Sequence, residues 1–171
     1  MRSLRLVIGC LVSAPVCSLA QSTGKRPVKP ASHDSAYAAM QARGKQAMGV
    51  DQYTSTHTFD AQEDGGRINL VRDTDDSVGV AQIRAHIRDI AKAFSTGDFS
   101  TPEFVHMSDV PGTRVMRDKR AVITYEARDL PRGAELRIRT KDPEALRAIH
   151  DFMAYQRSEH HAGGMSGMKH P

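Results

Sequence analysis

Cysteine is the first shortage. Only Cys10 and Cys17 occur among 171 residues, and both lie within the first twenty. Arg2 and Arg5 precede an apolar stretch from Leu6 to Val16, and Ser18-Leu19-Ala20 supplies the small residues read by a signal peptidase. The segment 1–20 therefore reads as an export signal cleaved after Ala20, which places the mature chain in the periplasm or outside the cell. Cleavage would remove both cysteines and exclude a disulfide framework in an oxidising compartment. The Ala14-Pro15-Val16 run also lacks the Leu and small residue expected before an acylated cysteine. Long hydrophobic runs are missing too: Leu6 to Val16 falls short of the roughly 20 residues that span a bilayer, and no later stretch approaches that length, so no stable membrane insertion is expected.

Tryptophan is absent and aromatic residues make up 5% of the chain, so the core must be aliphatic and modest. Charge of one sign is also lacking. Loss of residues 1–20 removes two of 24 basic residues and none of the 20 acidic ones, lowering the net charge from +4 to +2. So mild a balance, with so few aromatic residues, excludes a nucleic-acid groove or a membrane-surface patch. There is no phosphate-cradling glycine loop, no nucleophile elbow, no Cys-x-x-Cys-His haem attachment and no His-Glu-x-x-His zinc pattern.

What is present begins with the C-terminus. His160-His161-Ala162-Gly163-Gly164-Met165-Ser166-Gly167-Met168-Lys169-His170-Pro171 carries three imidazoles and two thioethers on glycine-rich chain. Thioether sulfur is a soft ligand suited to Cu(I), and imidazole suits copper, zinc and nickel, so a His/Met mixture without thiols points first to a copper ion. Residues 161–171 are expected to form a flexible tail.

Between signal and tail the pattern fits one domain, 35–160, after a disordered, basic, proline-containing lead at 21–34. Ser35 to Met48 is alanine-rich and helical. Tyr53 to Ala61 and Arg67 to Arg72, on either side of Glu63-Asp64-Gly65-Gly66, form a hairpin. Val80, Ile83, Ile87, Ile90 and Phe94 recur at helical spacing. A loop with Pro102, Pro111 and Gly112 follows from Ser95 to about Met116. Arg120 to Ala127 and Ala134 to Thr140 then give a second hairpin, and Asp142-Pro143 opens a last helix running to about His160. Gly66 to Asp73 resembles Gly133 to Thr140, and Ile83-Arg84-Ala85-His86-Ile87 resembles Leu146-Arg147-Ala148-Ile149-His150. The expected fold is α+β: duplicated β-hairpin-helix units forming a four-stranded antiparallel sheet with two helices on one face, plus an N-terminal helix.

The domain holds further candidate ligands. His86 and His150 each lie at the edge of a helical stripe, and His150 forms an i, i+3 pair with Met153. His57 shares a strand face with Phe59, so the two are buried or exposed together. His106-Met107 offers adjacent nitrogen and sulfur donors in the long loop. Met40, Met48 and Met116 fill core gaps or line a site.

The run Met40 to Gln52, with Thr56-His57, Gly65-Gly66, Ile83-Arg84-Ala85-His86, Gly97-Asp98-Phe99, His106, Val110-Pro111-Gly112 and Ala148-Ile149-His150-Asp151-Phe152, resembles a family of small exported bacterial proteins. The resemblance covers about Met40 to His160. It carries over no established catalytic residue or cofactor, and it implies that the His/Met tail is an addition to the shared domain. The expected function is an exported copper-binding protein, a buffer or chaperone in copper homeostasis or resistance, with another exported metal-handling protein as a partner. The metal ligands would come from His160, His161, Met165, Met168, His170, His57, His86, His106, Met107 and His150. The alternatives are a small histidine- or metal-dependent exported enzyme and a non-metal interaction module.

Overall fold

The two stretches of alternating apolar and polar residues become two hairpins of equal size. Strands β1 (Ser55–Gln62) and β2 (Gly65–Arg72) turn at Glu63-Asp64, and β3 (Ile123–Leu130) and β4 (Gly133–Thr140) turn at Pro131-Arg132. The computed structural model describes residues 33–50 and 52–161. The expected signal, most of the lead and residues 162–171 of the tail lie outside them. All four strands form one antiparallel sheet in the order β1-β2-β4-β3, with the two hairpins joined through β2 and β4.

The register exposes the duplication. Ser55 and Ile123 begin the outer strands, Gly65 and Gly133 begin the inner ones, and each second-half residue follows its counterpart by the same 68 positions. Gly65 pairs with Arg139, and Val71 pairs with Gly133. The strand match is therefore one residue off the alignment of Gly66 with Gly133 drawn from the sequence. The helical alignment of Ile83–Ile87 with Leu146–His150 is out of phase too, because Ala85 is exposed and Ala148 is buried.

Two long helices cover one face of the sheet. Helix α2 (Ser77–Ser95) follows the first hairpin but lies mainly over β3 and β4, whereas α5 (Pro143–Glu159) follows the second and lies mainly over β1 and β2. This exchange makes one core from two units. Ile83 and Ile87 of α2 and Ile149, Phe152 and Met153 of α5 bury against Ile68, Leu70, Leu136 and Ile138. Gly66 leaves room for the Met153 side chain, which is fully buried over it. On the other face Arg67 pairs with Asp60 at 3.1 Å and Arg139 with Glu126 at 3.1 Å, a solvated polar surface.

Helix α2 starts where Asp76 accepts the Gly79 N–H at 3.0 Å, satisfying one of the free donors of its first turn. Asp76→Ala is expected to lower stability by about 1 kcal/mol, measured as a lower urea midpoint with unchanged slope. An unshifted midpoint would show that water replaces the cap.

Helix α1 (His33–Met48) packs on α2 and on the region expected to be loop. That region instead contains α3 (Ser100–His106) and α4 (Thr113–Asp118). Pro102 sits in the first turn of α3, where its missing N–H costs no hydrogen bond. Gly97 and Gly112, both at positive φ, turn the chain ahead of the two short helices. Phe99 is fully buried and stacks on Phe94 at 4.4 Å, so the segment is tied into the core. No helix among the described residues is long and apolar enough to cross a membrane.

Candidate metal centre

Period-two geometry puts His57 on the same face as Phe59, with their rings 4.6 Å apart. This is the helix-covered face, because Phe59 is buried there opposite Ile68. Above it, α2 brings His86 beside Ile87 and Ile90. Helix α3 brings His106 beside Val105, and α5 aligns Phe152, Gln156 and His160 at intervals of four. Helix α1 adds Gly44, Ala47 and Met48. These side chains line one cavity of about 70 Å³, room for an ion or a few waters.

His57, His86, His106 and His160 are thus brought to one place by four different elements. His160 lies between two others, with ring centroids 5.4 Å from His57 and 5.1 Å from His106. An ion held tetrahedrally by imidazole nitrogens at ~2.0–2.1 Å would space ring centroids about 5.2 Å apart. The ring spacing therefore suits shared ligation. The nitrogens are not convergent: among the described residues no three His, Cys, Asp or Glu side chains are placed to hold a metal ion. A bound ion would require the rings to turn toward it.

The hydrogen bonds leave acceptors for such an ion. Nε2 of His106 lies 3.1 Å from Oε1 of Gln156, whereas Nδ1 of His106 is buried without a partner. Nδ1 of His57 and Nε2 of Gln156 are also buried and unpartnered. His86 is held by the backbone carbonyl of Ala47, the outer contact that fixes a ring and frees its second nitrogen. Three partnerless polar atoms thus belong to residues lining this one small cavity, and each is costly to bury.

Electrostatics keep the rings neutral. Burial is the first cause of the lowered basicity of each, and it holds His57 well below 6.5. Charge on His160 and His86 would lower His57 further. His160 is brought down to about 3 by burial and by the neighbouring His106 and His161. Neutral imidazole is the ligating form, so protons do not oppose metal binding near neutral pH.

The remaining candidates lie elsewhere. His150 points to the end of β1, where its Nε2 is 2.9 Å from the Gln62 carbonyl, and its expected partner Met153 is sealed in the core. Met107 is 69% exposed at the left-handed end of α3, outside the lining of the cavity that His106 enters. His161 stacks on Tyr37 at 4.6 Å and lines an outer cleft of about 320 Å³ with Met40, Arg43, His106 and Glu159. Met165, Met168 and His170 lie outside the described residues. Gln156 was missed as a pocket residue, though its position four residues after Phe152 and four before His160 was visible.

The chain was compared with models of known protein families, with curated proteins and with solved structures, and it matches none of them.

Proposed function

We propose that this is an exported copper-binding protein, a periplasmic buffer or chaperone whose domain site is the pocket of His57, His86, His106 and His160. The observation that carries this reading is the meeting of four imidazoles from four elements around one cavity, with buried, unpartnered nitrogens on two of them. The C-terminal tail captures the ion, and His160 and His161 link that tail to the domain. Transfer between sites of graded affinity needs no bond making, and another exported metal-handling protein would receive the ion.

Catalysis has less support. No carboxylate is among the described residues lining the cavity, and His106 is paired with an amide rather than an acid. Histidine-based acid-base chemistry works best with a group poised near the working pH, whereas these rings are held neutral below it.

Calorimetric titration with copper, with C10S and C17S in every chain so that the two thiols do not compete, tests the proposal. The chain carrying M165L, M168L and H170Q is expected to retain one equivalent at the pocket, and adding H57A and H106A should abolish it. If neither the chain with its tail intact nor the tail variant binds copper stoichiometrically, the proposal fails. If only the chain with its tail intact does, the tail is the site and the pocket is not.

A further inference from the structure

The charge around the pocket narrows the ion, on the reading that the pocket binds a metal. Its lining consists of imidazoles, one thioether, one amide, one hydroxyl and hydrocarbon, with no anionic side chain among the described residues. The carboxylates that act on its rings lie outside its lining. Asp89 lies on the exposed side of α2 and acts on His86 through space, and exposed Glu159 acts likewise on His106. From α1 comes a cation: Arg43 donates from Nε to the Val105 carbonyl at 2.8 Å and lines the outer cleft beside His106.

A dication placed here would keep its full charge in a cavity walled by Phe59, Ile68, Ile87 and Phe152. Desolvation cost grows with the square of the charge, so it is about fourfold larger for a divalent than for a monovalent ion of similar size. Hard and borderline dications offset that cost with carboxylate or thiolate ligands, or with a closed four-coordinate shell. Neither is preformed here, since no three His, Cys, Asp or Glu side chains in the described residues share an ion. A soft monovalent ion is different: a few neutral nitrogen and sulfur donors satisfy it, and its single charge is tolerable in an apolar surrounding.

We infer that the pocket is a site for Cu(I), with imidazole nitrogens of His57 and His106, the two that are buried without a partner, and the thioether of Met48 as its donors, and that it discriminates against Cu(II) and Zn(II). Met48 is 6% exposed and lines the cavity alongside the rings. Among the described residues it is the one sulfur in that lining, in a chain whose two cysteines are confined to the first twenty residues.

The test uses the full chain carrying C10S, C17S, M165L, M168L and H170Q, so that neither the two thiols nor the tail competes. Cu(I) is titrated anaerobically against a chromophoric Cu(I) chelator, and Cu(II) and Zn(II) are titrated separately. One equivalent of Cu(I) is expected, bound at least ~100-fold more tightly than Zn(II). Adding M48L, which nearly conserves volume, should weaken Cu(I) binding by ~10-fold or more while leaving the thermal midpoint and Zn(II) binding little changed. Sulfur scattering in the Cu(I) X-ray absorption spectrum should be lost in the same variant. Zn(II) or Cu(II) binding as tight as Cu(I), abolished by H57A with H106A, would overturn the inference and leave a metal pocket standing. Tight Cu(I) binding indifferent to M48L would overturn the donor set. Binding of none of the three ions would overturn the pocket reading itself.

Discussion

Between about pH 6.5 and 4.5 the metal-free protein is expected to lose stability steeply, because its native state refuses protons that its unfolded state accepts. His57, His86, His106 and His160 all have native values below 6.5, burial being the first cause in each. Asp89 and Glu159 partly counter this at His86 and His106. Above about pH 7 both states hold these rings neutral, and stability is flat. As the pH falls through 6.5 the unfolded rings take up protons first, and each native ring that stays neutral lowers stability by ~1.4 kcal/mol per pH unit. For His160 the loss continues until the native ring titrates at about 3. Two such rings give ~2.8 kcal/mol per pH unit, a large share of an ordinary domain stability of about 5–15 kcal/mol.

The native carboxylates do not produce the same profile. Asp64, Glu126 and Asp142 are held low by hydrogen bonds from Arg137, from Arg128, and from the Ala145 N–H, respectively. The stability they supply is complete above their unfolded values near 4 and is lost only below them. Urea midpoints near pH 7, 6 and 5 therefore isolate the histidines, and H160Q should flatten the profile. A midpoint that stays constant over that range would mean that the four rings are solvated.

This pocket shows which parts of the site were legible in the sequence. His57 could be tied to Phe59 because strand faces repeat every two residues, and burial of Phe59 then decided both. The edge position of His86 on an amphipathic helix was equally plain. His106 was visible only as a loop residue, since Gly97, Pro102, Pro111 and Gly112 punctuate the segment and seven residues of α3 are too few to establish a period. What orders α3 is tertiary: Phe99 in the core and Arg43 reaching across from α1.

His160 belongs by composition with the His/Met donors of the C-terminus although it closes the domain 35–160, and in the structure it ends the Phe152, Gln156, His160 row and turns inward. Composition describes a segment, whereas helical phase places a side chain. His150 shows the converse error. Its segment resembles the His86 helix in motif, but the two helices are aligned out of phase, and its ring bonds to the edge of β1. The sheet itself was legible in its hairpins and turn residues. The placement of α2 and α5 over the opposite hairpins was not, because it depends on packing between halves rather than on any local pattern.

The duplication yields the second large effect: Gly65→Ala and Gly133→Ala should be matched and severe. A Cβ at Gly65 would land on the carbonyl oxygen of Ile138, and a Cβ at Gly133 on the carbonyl oxygen of Leu70. Both pairs cross the β2–β4 seam, and Leu70 and Ile138 are themselves counterparts in the two halves. The overlap is with backbone, so no side-chain rotation relieves it. Either the seam opens, separating the hairpins that share the core, or the strand start shifts and carries its turn with it. Overpacking against side chains costs about 1–3 kcal/mol, and a backbone clash between two central strands should reach or exceed the upper figure, about 3 kcal/mol for each variant. Gly65 also sits at a φ of 147°, so its variant should be at least as damaging as the other. Gly49→Ala is the control: its φ is positive at 74°, but the nearest atoms lie 3.8 Å away on the Gln82 side chain, so only the backbone cost of about 1–2 kcal/mol applies. Urea unfolding of the three variants measures the ordering. If the two strand glycines cost no more than Gly49, the close seam does not exist in solution and the two halves are joined less tightly than their register requires.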